Sequence, residues 1–363
     1  MTSPRRTVEN WSWRSVASAE KFNKSTKVPW LLLDKDDDYH SPRKFFNLSK
    51  DLIYRINLPK SRNSPCHFGN FSIRNGFIYS SKGWLLNVEN HLELCLSNPF
   101  SLSRITLPHS FLLCSNYILL LNFALSSSPS VASDFVILIV YYSFVTRDVK
   151  LGFWKNGDHD WTDIDLIFST FDSNITYHNG RFYIIRRFEF GAEFVVHEID
   201  IQNSESVSIS SKSFANLFPS THIGSPSWIV GSSQALMIVT WRLDHASIDE
   251  DGNIVGDLYS HVPHFEFIVQ EIDFEKGECK KVSDLGDEAL FLGCYSLFLV
   301  DVSNESRFKS NHIYFAENCQ QTFSCGSGGS VGVYSIIDGS YEPFFTEADF
   351  GYRCSSQWIE PRP

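Results

Sequence analysis

The residues of this chain that could carry acid–base or nucleophilic chemistry are few and poorly spaced for it. Asp158-His159-Asp160-Trp161 sets an imidazole between two carboxylates, which could raise the histidine pKa and make it a general acid. The tetrad directly follows the turn pair Asn156-Gly157, so it reads as an exposed hairpin without the fixed partner and substrate pocket that a catalytic base needs. Gly231-Ser232-Ser233-Gln234 begins like a nucleophile elbow but lacks its closing glycine, and no strand–elbow–helix context surrounds it. Gly326 to Ser330 (GSGGS) resembles a phosphate cradle, yet no GK[ST] follows, and Val331 stands where a dinucleotide fingerprint has its third glycine.

Metal chemistry fares no better. Asp249 to Asp257 (DEDGNIVGD) offers alternate carboxylates, but an EF-hand begun at Asp249 needs glycine where Ile254 sits and glutamate where Ser260 sits. Asp34 to Asp38 fails in the same way, with Tyr39 at the glycine position. The 12 histidines form no HxxxH pair, and the 8 cysteines (66, 95, 114, 279, 294, 319, 325 and 354) form no CxxC pair. The expectation is no catalytic residue, no cofactor and no metal, with most cysteines reduced and buried as small apolar residues. An apolar secretory region is missing after Arg5-Arg6, which makes the sequons at Asn10, Asn23, Asn47, Asn70, Asn174 and Asn304 incidental and points to a cytoplasmic or nuclear protein.

What positions these residues is a β-rich scaffold. Aromatic residues make up 15% of the 363 positions and methionine occurs twice, a balance that favours strands. Short apolar runs recur without alternation at Val136 to Tyr142, Phe182 to Ile185, Phe194 to Val196, Ala235 to Val239 and Phe267 to Val269. Such strands are covered on both faces. No amphipathic 3.6-residue pattern of ten or more residues supplies the crossover helices of a parallel sheet, so antiparallel blades around an axis are expected. Asn75-Gly76, Asn156-Gly157, Asn179-Gly180 and Asp338-Gly339 provide turn chemistry at the strand ends. The apolar stretches Phe111 to Leu125 and Phe135 to Val145 fall short of the ~20 residues of a membrane-spanning helix and read as buried strands.

An internal repeat supports the blades. Glu193 to Asp200 (EFVVHEID) and Glu266 to Asp273 (EFIVQEID) agree at six of eight positions, and each precedes a polar turn and a second strand-like run. Six four-stranded units follow, at residues 30–59, 69–108, 111–165, 174–210, 228–284 and 288–346. The first is completed from elsewhere, and residues 356–359 are the candidate strand for closing the ring. Seven blades is the alternative count. Net charge of −11 argues against nucleic acid, whose binding draws on concentrated Lys and Arg. No membrane partner is expected either. Long loops on a rigid scaffold carry recognition, which singles out Leu243 to Pro263 and Ser126 to Asp134 for a protein client.

With those residues in place, the chain resembles the KIB-type β-propeller family of plant F-box proteins. The resemblance is carried by Lys27 to Leu33 (KVPWLLL), Gly83 to Leu86 (GWLL), Leu96 to Ser101 (LSNPFS) and Ile105 to Pro108 (ITLP). It continues through Phe194 to Asp200, Leu285 to Gly293 (LGDEALFLG), Asn311 to Phe315 (NHIYF) and Gly332 to Ser335 (GVYS), so it spans roughly residues 22 to 360. It implies a propeller over residues 27–363 that recognises substrates for an SCF-type ubiquitin ligase without catalysing a reaction itself. The segment 1–26 is expected to be an F-box remnant or a disordered or short helical stretch. Trp11, Trp13 and Arg14 resemble the end of an F-box, without its cysteine. Ten residues precede Trp11, so the helices that dock on a Skp-type adaptor are expected to be incomplete. An adaptor-independent scaffold or competitor is one alternative reading and a propeller-fold hydrolase another.

Overall fold

The computed structural model describes residues 8–10, 28–33, 43–56, 79–88, 94–108, 118–168, 173–187, 193–203, 206–215, 227–232, 234–244, 247–248, 254–255, 264–293, 296–317, 330–343 and 357–360. They form strands and turns arranged as six blades. From the inner strand outward, blade 2 is Tyr79–Ser81, Trp84–Val88, Leu94–Ser97 and Arg104–Thr106. Blade 3 is Ile118–Leu125, Val136–Ser143, Asp148–Lys155 and Thr162–Phe168, and blade 4 is Ser173–His178, Arg181–Arg187, Glu193–Asn203 and Ser206–Ala215. Blade 5 is Ser227–Gly231, Leu236–Asp244, His264–Asp273 and Glu278–Val282.

The continuous apolar runs have a direct cause. In Val136–Ser143, Ile137, Ile139 and Tyr141 pack with blade 2, while Val136, Leu138 and Val140 pack with blade 4. Both sides of the strand face another sheet, so neither can be polar. The same logic repeats around the molecule, since the six apolar clusters each join one pair of consecutive blades, the last pair being blades 6 and 1. Six interfaces between six blades make a closed ring.

Blade 1 closes it. Gln357–Ile359 pairs antiparallel with Trp30–Leu32 and becomes the inner strand of a blade continued by Arg43–Asn47 and Leu52–Ile56. Closure by the C-terminal strand is the arrangement expected from the sequence. Two blades carry a fifth strand. On blade 1, Val8–Asn10 runs parallel to Leu52–Ile56, so the described part of the N-terminal segment is a strand where helix or disorder was expected. The open edge of Leu52–Ile56 offers unpaired backbone groups that an extended segment satisfies. In blade 6 the order is Ser296–Asp301, Glu288–Gly293, His312–Glu317, Ser330–Ser335 and Tyr341–Pro343, with Glu288–Gly293 and His312–Glu317 parallel.

The twin octets lie in the third strands of blades 4 and 5. Phe194 and Val196 face the blade 4–5 cluster as Phe267 and Val269 face the blade 5–6 cluster, and Ile199 and Ile272 turn to the preceding interface. Asn47 and Asn174 are buried, which makes the sequons there incidental. Cys95 is a buried free thiol and Cys279 a partly buried one, and the other cysteines lie outside the described residues.

Candidate functional site: one face of the ring

Neighbouring inner strands run in the same direction. Ser81 Oγ accepts from Leu125 N at 3.1 Å, and Asn174 Oδ1 accepts from Ile229 N at 3.1 Å, which matches early residues with early and late with late. In an antiparallel blade the turns between strands one and two and between strands three and four share one end, and the turn between strands two and three is at the other. Loop Ser126 to Asp134 joins the first two strands of blade 3, whereas Leu243 to Pro263 joins the second and third strands of blade 5. The two expected contact loops therefore open on opposite faces, and one compact surface does not include both. Within the longer loop, Ser247–Ile248 pairs with Ile254–Val255, and the acidic residues between them lie outside the described residues.

The shorter loop is held firmly. Trp84 Nε1 donates to Ser128 Oγ at 3.2 Å, the Ser128 carbonyl accepts from Val131 N and Ala132 N, and Asn156 Nδ2 donates to the Ser133 carbonyl at 2.8 Å. Its tip, Val131, is 76% exposed. An apolar side chain presented to water on a pinned loop is suited to contact, because little conformational entropy remains to be lost on binding. The hairpin of Asp158 to Trp161 flanks it on the same face. There the His159 side chain is 98% exposed and, among the described residues, pairs with Asp160 at 2.9 Å, while Trp154 Nε1 donates to the Asp158 carbonyl. His159 and Asp160 form a solvated turn, as their position after Asn156-Gly157 implies, whereas Trp161 is buried between blades 2 and 3.

Towards the axis, this face gathers residues that no motif joined. Lys82 and Gly83 have φ of 49° and 79°, and Asn179 and Gly180 have 46° and 86°, so each pair builds a tight turn of the kind that needs two left-handed residues. A lysine in that conformation costs about 1 kcal/mol or more. Its ammonium lies 5.8 Å from the centroid of the Tyr177 ring, two blades away. Tyr177 stacks edge-on against Phe182, and its phenol pKa is pushed up by burial and then by the charges of Asp200 and Asp134. His178 is held neutral by burial, against a hydrogen bond with the Ser232 backbone, and Asn179 Nδ2 lies 2.9 Å from its Nε2. Of the two turns in this grouping, Asn179-Gly180 was legible in the sequence and Lys82-Gly83 was not, because lysine is not a residue that ordinarily signals a left-handed turn.

A serine–histidine pair does occur, in the outer half of blade 4. His197 Nδ1 lies 2.7 Å from Ser211 Oγ, and His197 is buried. Its pKa is lowered to about 4, first by burial and then by the charge of Arg186. A hydrolytic dyad requires the opposite: a carboxylate that stabilises the imidazolium as it forms. The equivalent residue in blade 5, Gln270, is also buried, so both third strands hold a polar side chain at this position within a strand interface. Ser232 of the elbow-like tract caps its own turn by accepting from Gln234 N and Ala235 N, and Ser233 lies outside the described residues. Among the described residues no group of three His, Cys, Asp or Glu side chains is placed to hold a metal. Trp11, Trp13, Arg14, Asp34 to Asp38 and the glycines of Gly326 to Ser330 also lie outside the described residues.

A protein of Arabidopsis thaliana named as an F-box protein is 27% identical over 240 residues, covering 66% of this chain and 59% of that protein, so the chain spans about three-fifths of its relative. Among solved structures, dipeptidyl peptidase 4 of Porphyromonas gingivalis (9% identity, TM-score 0.31, 88% of this chain and 51% of that one) is matched. So is the Synechocystis apocarotenoid oxygenase (9%, 0.36, 74% and 59%). At those scores neither likeness bears on function. The KIB1-4 beta-propeller family matches residues 45–335, from strand Arg43–Asn47 of blade 1 into blade 6, and the chain belongs to that family.

Proposed function

We propose that the chain is a non-catalytic protein-interaction propeller that recognises substrates for an SCF-type ubiquitin ligase and receives its client on the face carrying Ser126 to Asp134. The observation that carries this reading is Val131, an exposed apolar tip on a loop fastened to blade 2 through Trp84 and to the neighbouring hairpin through Asn156. Family membership and the F-box name of the Arabidopsis relative support the ligase assignment. The electrostatics of His197 favour a binding module over a hydrolase, because a base titrating near 4 beside an arginine is weak at neutral pH.

The test is co-purification with a Skp-type adaptor, using the chain as it stands and the chain with a complete F-box grafted before Val8. The grafted protein is expected to retain the adaptor and to become ubiquitin-ligase active in a reconstituted assembly. Adaptor capture without any ligase activity towards bound proteins would overturn the substrate-receptor reading.

A further inference from the structure

The outer strand of every blade is an open edge that could pair with another chain, and natural sheets blunt such edges with charge, proline, shortness or cover. Five of the six outer edges here are blunted. Leu52–Ile56 of blade 1 is covered by Val8–Asn10. Arg104–Thr106 of blade 2 is three residues long and exposes Arg104, and Thr162–Phe168 of blade 3 exposes Asp163 and Asp165. Glu278–Val282 of blade 5 exposes Glu278, Lys280 and Lys281, and Tyr341–Pro343 of blade 6 is short and contains Glu342 and Pro343.

Blade 4 differs. Its outer strand Ser206–Ala215 has ten residues, and the first six, SVSISS, contain neither charge nor proline. Five of those six are exposed, Ile209 among them at 37%. Among the described residues no strand pairs with its outer side. The second half is tied to blade 5, where Lys212 Nζ donates to the Glu275 carbonyl and Cys279 Sγ to the Ala215 carbonyl. The open stretch is thus Ser206 to Ser211.

We propose that Ser206 to Ser211 is a docking edge that takes an extended segment of a partner protein as an added strand. The molecule already uses this mode at blade 1, where Val8–Asn10 adds to an outer edge. Main-chain hydrogen bonds would supply affinity, and the alternating faces of the edge set the chemistry of the segment. Val207 and Ile209 lie on one face, calling for apolar residues at alternate positions. Ser208 and Ser210 lie on the other, opposite Asp200 and Glu198, and Ser210 Oγ donates to Glu198 Oε1 at 3.2 Å. Arg181 offsets part of that acidity, bonding Glu198 at 2.8 Å and reaching Asp200 at 3.8 Å. The remaining charge and the net −11 of the chain favour a segment flanked by Lys or Arg. A second copy of the chain fits less well, since it brings the same carboxylates and the same net charge to the edge.

This inference rests on the reading of the chain as an interaction propeller and adds the form of its partner. The probe is a labelled heptapeptide of alternating valine and threonine with an arginine at each end. Binding is followed by fluorescence anisotropy and by amide hydrogen exchange of residues 206–211. Saturating peptide is expected to slow exchange there by roughly tenfold or more while leaving 278–282 unchanged. Ile209→Lys, and independently Ser208→Lys, are expected to abolish binding with the melting temperature unaltered. Absence of protection, protection that survives both substitutions, or peptide-independent protection in a dimer that Ile209→Lys dissociates would each overturn the proposal. Such a failure alongside intact adaptor capture by the grafted chain removes the docking edge alone.

Discussion

His197 and Gln270 occupy the same position of the same strand in consecutive blades, and only His197 can change its charge. Both are buried polar residues, and each finds a partner on the fourth strand: His197 meets Ser211 at 2.7 Å, and Gln270 Nε2 meets Cys279 Sγ at 3.9 Å. Burial and then Arg186 lower the histidine pKa from its ordinary 6.5 to about 4, so the fold prefers the neutral ring. The unfolded chain binds the proton more readily. The contribution of this residue to stability is therefore complete above pH 6.5 and is lost as the pH falls towards about 4. His197→Gln, which copies blade 5, is expected to flatten the loss of stability over that window, as read by denaturant unfolding at a series of pH values. Identical profiles for the two proteins would show that His197 is not buried neutral. The repeat exposed this comparison in sequence, but the one non-conservative difference between the octets gained meaning only once both residues were found inside strand interfaces.

The elements legible in the sequence were those whose surroundings are the same on both sides. Val136–Ser143 and Arg181–Arg187 announce themselves because two sheets cover them, leaving an unbroken apolar run. Blade 6 was not legible in this way. Glu288–Gly293 and Ser296–Asp301 form a hairpin whichever of them faces the axis, and packing against Trp358 and its neighbours, not local sequence, places the later strand inside. Loop length likewise named Ser126 to Asp134 and Leu243 to Pro263 without naming their faces, because a face depends on strand direction. Close approach between elements was silent too. At Gly231 an added Cβ would lie 2.6 Å from Cβ of His178, on the inner strand of the adjacent blade. Gly231→Ala is expected to destabilise the protein by about 1–3 kcal/mol through overpacking, measured by denaturant unfolding. A neutral effect would mean that the inner strands of blades 4 and 5 can slide apart.

For the molecule as a whole, stability depends on a ring whose last interface is made by a short segment. Trp358, 0% exposed, sits 5.2 Å from Phe291 in the cluster that joins blade 6 to blade 1. Trp358→Ala is expected to cost about 3–5 kcal/mol in a denaturant titration, and a loss under about 1 kcal/mol would show that the ring holds without this anchor. The same segment also has a consequence in time. Trp30–Leu32 meets its inner partner Gln357–Ile359 only after some 327 further residues have been made, counting from 30 to 357. At cellular rates of about 5–20 residues per second, that interval is roughly 16 to 65 s. A nascent chain thus carries an unfinished first blade throughout that interval, with the inner edge of Trp30–Leu32 unpaired until Gln357–Ile359 arrives.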